Sequence, residues 1–70
     1  MSEAHIRGIV QSHAARNSEF RARAANAAKA GALAALERLI EKALFEAGVR
    51  ALDFTRATVH NIAEWIRANW

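Results

Sequence analysis

His60 and Glu64 stand four residues apart, one helical turn, and could share a metal ion. Two ligands do not make a metal site, and a solvated pair is the plainer reading. Glu37 and Glu41 repeat that spacing, which would suit a general acid and base. Arg38 and Lys42 accompany them, so the four read as a solvated face. There is no Cys to serve as nucleophile or thiolate ligand, and Gly8, Gly31 and Gly48 are too scattered for a phosphate-binding loop. No Glu is followed three residues later by His, so the Glu-x-x-His pattern of carboxylate-bridged di-metal bundles is missing. These residues give catalysis nothing to rest on; neither an enzyme nor a cofactor is expected. His13, between Val10 and Asn17, falls among apolar residues. It reads as a partly buried histidine bonded to Asn17 or to a neighbouring helix. At a subunit contact it would make association sensitive to pH.

The elements that carry these residues are helical. The chain has no Pro, and Ala, Leu, Arg, Glu and Lys, all good helix formers, dominate it. Its 70 residues allow one domain, residues 1–70. Domains of this size struggle to bury enough apolar surface. The hydrophobic share is 53%, but nearly half of it is Ala. Without disulfides, added stability must come from helix packing or from a second subunit; the second is expected here. Absence of Cys also suits a reducing compartment. The N-terminus is charged, and the longest apolar run, Ala30–Leu36, falls well short of the about 20 residues a membrane span needs. A cytoplasmic protein without a transmembrane segment is expected. The net charge of +3 lies towards the N-terminus, where Arg7, Arg16, Arg21, Arg23 and Lys29 face only Glu3 and Glu19.

At about 100° per residue, one stripe collects Ile6, Ile9, Val10, His13, Phe20, Ala24, Ala27, Ala28 and Gly31. It holds its phase across residues 3–31, which predicts one long helix capped by Ser2, despite Asn17-Ser18. A second stripe, Leu33, Leu36, Leu39, Ile40, Ala43, Leu44 and Ala47, points to nearly the opposite side. The helix either breaks at Gly31 or runs on to Ala47; the missing cap residue before Leu33 favours continuity. Gly48 is a stop, with Leu44 and Val49 at the touching positions of a Schellman ending. A last amphipathic helix, about 50–69, lines up Leu52, Val59, Ile62, Ala63, Ile66 and Trp70. Glu3/Arg7, Glu19/Arg23 and Glu46/Arg50 are spaced for ion pairs one turn apart.

The expected architecture is thus all-α, two or three helices over about 3–31, 32–47 and 50–69, in a bundle completed by oligomerisation. Two opposed stripes on one rod exceed what a single last helix covers, which predicts a homodimer or higher homo-oligomer. The small-featured centre from Ala24 to Gly31 would let another helix approach closely. Ile6, Ile9, Val10, His13, Phe20, Ala24, Ala27, Ala28 and Gly31 are the candidate interface, with Trp65 and Trp70 as anchors. The stripe from Leu36 to Leu44 should pack on Val59, Ile62 and Ile66. The function expected is that of a small protein–protein interaction module: an adaptor, regulator or inhibitor whose target is another protein.

The stretch LDFTRATVHNI, residues 52–62, resembles the turn and second helix of helix-turn-helix DNA-binding proteins. That resemblance implies Thr55 as the helix cap, a Phe54–Val59 staple, and Arg56 and Asn61 as base readers within the 52–69 segment. It covers about a dozen residues. Asp53 stands where that motif has Gly, and Gly48-Val49 replace its usual large and small upstream residues. Asp53 and Glu64 also flank the reading face, where phosphate binding wants basic residues. Trp65 and Trp70 beside Arg67 are compatible with a membrane-surface helix, though acids share its polar face.

Overall fold

Helix caps and glycine stops divide the chain more finely than its apolar periodicity suggests. The computed structural model describes residues Met1–Trp70, all-helical and without strands. It contains α1 (Glu3–Arg16), α2 (Ser18–Lys29), α3 (Leu33–Glu46) and α4 (Arg56–Asn69), with a short 3-10 turn at Ala51–Asp53. Ser2 caps α1 as expected, its hydroxyl accepting the His5 N–H at 3.2 Å. No helix is long and apolar enough to cross a membrane.

The single helix expected over 3–31 is broken at Asn17. This residue is extended (φ −138°, ψ 93°), and its side-chain oxygen accepts the Phe20 N–H at 3.0 Å. It thereby satisfies one of the free donors at the start of α2. A second break falls at Gly31, the first of the two alternatives the sequence leaves open there. Gly31 takes φ +69°. There the Ala32 N–H reaches the Ala27 carbonyl at 2.9 Å and the Gly31 N–H reaches Ala28 at 3.1 Å. These are the paired bonds of a Schellman ending. α3 then starts at Ala32 with no side-chain cap.

Gly48 ends α3 as expected. It has φ +87°, with Val49 N–H on the Leu44 carbonyl at 2.9 Å and Gly48 N–H on Phe45 at 3.0 Å. An L side chain is strained in this left-handed region. Gly48→Ala is therefore expected to lower stability by about 1 kcal/mol, read as a lower urea midpoint at unchanged slope. An unchanged midpoint would remove the conformational role assigned to Gly48.

The last helix starts later than the expected residue 50. Phe54 is extended and Thr55 caps α4, its hydroxyl accepting the Thr58 N–H at 3.1 Å. Leu52, in phase with the α4 stripe, stands outside the helix and is 88% exposed.

Because the chain folds back at Asn17 and again at Gly31, both stripes turn inward. Ile6, Val10, Ala14, Phe20, Ala24 and Ala28 join Leu36, Ile40, Ala43, Leu44, Val49, Val59, Ile62, Ala63 and Ile66 in one core. No charged or polar residue is buried in it. The expected packing of Leu36–Leu44 on Val59, Ile62 and Ile66 is present. Each of the four helices touches the other three. α1 and α4 run in the same direction, since Glu3 meets Asn61 and, one turn on, Arg7 meets Trp65. α3 and α4 run oppositely: Phe45 meets Phe54 at one end and Glu37 meets His60 further along.

Candidate interaction surface

The outer side of α3 and the connection that follows it carry two large apolar side chains outside the core, Phe45 and Leu52, beside Phe54, which packs against the core. Phe45, in the last turn of α3, is 52% exposed, and Leu52 is the most exposed large apolar residue. Phe54 is partly buried, its ring 5.8 Å from that of Phe45. The local sequence explains this presentation. Gly48 turns the chain off the helix axis, and Val49 plugs into the core. The 3-10 turn closes with the Asp53 N–H on the Arg50 carbonyl at 2.9 Å. The Asp53 carboxylate accepts the Arg50 N–H at 3.2 Å, so the connection is bonded at both ends. Leu52 rides outward on its middle. Arg38 and Lys42 lie seven and three residues before Phe45, on the same side of α3, and both are exposed.

The residues expected to meet a partner sit elsewhere. Ile6, Val10, Phe20, Ala24 and Ala28 are buried in the chain's own core, and Ile9 and Ala27 pack against it. Those five have almost no exposed surface in the closed chain, while Ile9 and Ala27 keep some. Gly31 is exposed, and a Cβ built on it would meet nothing within 4 Å. Its task is the turn, not close approach.

His13 lies edge-on to Phe20 at 5.0 Å, and its Nε2 is 3.5 Å from Glu46 Oε1. That nitrogen is buried without a hydrogen-bond partner. Asn17, the partner expected for it, gives its oxygen to the α2 cap instead. Trp65 and Trp70 are partly buried against the core. Arg7 covers the Trp65 ring at 5.0 Å and Arg21 covers Trp70 at 4.6 Å. Cation–π contacts of this kind hold helix to helix inside the chain.

Polar residues take partners both across helices and along them. Of the three expected ion pairs one turn apart, Glu19–Arg23 forms, at 2.7 Å. Glu3 instead accepts from the Asn61 amide at 2.8 Å, and Glu46 faces His13. His60 and Glu64 do not converge: His60 Nδ1 is 2.7 Å from Glu37, and Glu64 pairs with Arg67. Glu37 is thereby a tether between α3 and α4. Thr55, Arg56 and Asn61 share the start of α4, but Arg56 lines a shallow depression with Glu37 and Glu41. Asn61 is held by Glu3.

Comparison with protein-family models finds no match, and comparisons with curated proteins and solved structures find none either. Phe45 and Leu52 were the residues hidden from periodicity. Leu52 is in phase with α4, and Phe45 stands off the Leu33–Leu44 stripe beside a glycine stop. An aromatic off the buried stripe was the available signal.

Proposed function

We propose that this chain is a small cytoplasmic protein–protein interaction module, an adaptor, regulator or inhibitor, docking its target on Phe45, Leu52 and Phe54. The observation that carries this reading is the exposure of Leu52 and Phe45 on a chain whose core is otherwise closed. Burying such a side chain at an interface contributes about 1.5–3 kcal/mol. A photo-crosslinking residue in place of Ala51 should capture a defined target in cells. Leu52→Ser with Phe45→Ser should weaken binding of the purified target by about tenfold or more, with unchanged helical circular dichroism. Unchanged binding by the double variant would overturn the reading.

Helix-turn-helix-like DNA binding is the second reading, favoured by one observation: α4 starts afresh at the Thr55 cap. Against it, carboxylates of Glu3, Glu37 and Glu41 surround Arg56 and Asn61, where a phosphate backbone would be repelled. In the same binding assay, duplex DNA held through Arg56 and Asn61, with steep loss on adding salt, would put this reading first. The homodimer expected from the sequence remains part of this proposal.

A further inference from the structure

The three connections of the fold differ in what straightening each would do. The one after α3 spans nine residues, 47–55, with its own 3-10 turn. The one at Gly31 joins two stripes that point to opposite sides, so a straight helix there would split the apolar surface. Asn17 is different. It is a single residue, extended and not left-handed, between helices whose apolar stripes are in phase.

If Asn17 turns helical, Glu3–Lys29 becomes one rod and its apolar side stays continuous. Its backbone loses little, because the bond now ending α1, Asn17 N–H to Ala14, is long at 3.4 Å. What holds the bend is the Asn17 side chain on the Phe20 N–H. Straightening lifts α1 from its seat on α3 and α4. It carries away Ile6 and Val10 together with Glu3, Arg7 and His13, the partners of Asn61, Trp65 and Glu46. A second copy in the same state offers an empty seat of identical shape and chemistry.

We infer that the chain forms a domain-swapped dimer, with Asn17 as hinge and α1 of each copy seated on α3 and α4 of the other. Swapping remakes in trans the contacts α1 makes with α3 and α4 in the monomer, which is why it is a low-cost route to dimers. A one-residue hinge between good helix formers is the setting that invites it. Such a dimer supplies the homo-oligomer that the two stripes predict, without any free face. The inference concerns self-association alone and does not rest on docking at Phe45 and Leu52; its readout involves no target.

Asn17→Ala removes the latch and adds the best helix former. A cap is worth about a factor of five, so two hinges should tighten the dimer by about 25-fold. Light scattering should show this as a dimer at lower concentration than wild type. Asn17→Asp keeps a capping oxygen and should behave as wild type. The geometry of the dimer is read from a chain with Glu3→Cys and Asn61→Cys, joined by a short bis-maleimide. The link should fall within one chain in wild-type monomer and between chains in the Asn17→Ala dimer. A folded Asn17→Ala protein that stays monomeric near millimolar concentration overturns the inference. So does a dimer linked only within each chain. Should Asn17→Ala not fold, wild type refolded near millimolar concentration decides: interchain links support the swap, and monomer alone overturns it.

Discussion

Ile40→Ala leaves this protein on the edge of unfolding at room temperature. Ile40 has no exposed surface, and it sits on α3, which touches every other helix. Removing buried methyl and methylene groups costs about 2–5 kcal/mol, from lost burial and from the cavity left behind. A chain of this length holds only about 4–10 kcal/mol in total. A urea titration followed by circular dichroism should move the midpoint to half its wild-type value or lower. Lys42→Ala, an exposed change on the same helix, should stay within about 0.5 kcal/mol. A loss at Ile40 as small as that at Lys42 would contradict the closed core.

Ala24→Leu should be nearly as damaging, for the opposite reason. Ala24 is fully buried on α2, where small residues let the helix lie close to its neighbours. A leucine adds three carbons to a closed site. Overpacking of this kind costs about 1–3 kcal/mol, and α2 must move outward or rotate. Ala22→Leu, on the exposed side of α2, should be nearly neutral. If both variants keep wild-type midpoints, the alanine-rich centre is not a packing surface.

The helical class, the Ser2 cap, the Gly48 stop and the Leu36–Leu44 packing on α4 are all readable from the sequence. The break at Asn17 is not readable from periodicity, because one extended residue barely changes the phase of the stripe. The break at Gly31 is masked by Ala32, a helix start with no capping chemistry. Both misses act together: joined helices leave two unmatched faces, whereas the broken chain folds each onto the other. The start of α4 was obscured by Leu52, whose position fits the stripe although its backbone leaves the helix. The exposure of Leu52 depends on that departure, so the sequence pattern placed it on the wrong side of the core.

The seating of the two indole rings gives two seams of the molecule, α1 with α4 and α2 with α4, an optical reporter each. Trp65 lies under an arginine from α1 and Trp70 under one from α2. Emission from Trp65 therefore follows α1 leaving α4, and emission from Trp70 follows α2 leaving α4. Trp70→Phe and Trp65→Phe variants separate the two signals, so the order in which the helices detach becomes visible in an unlabelled protein.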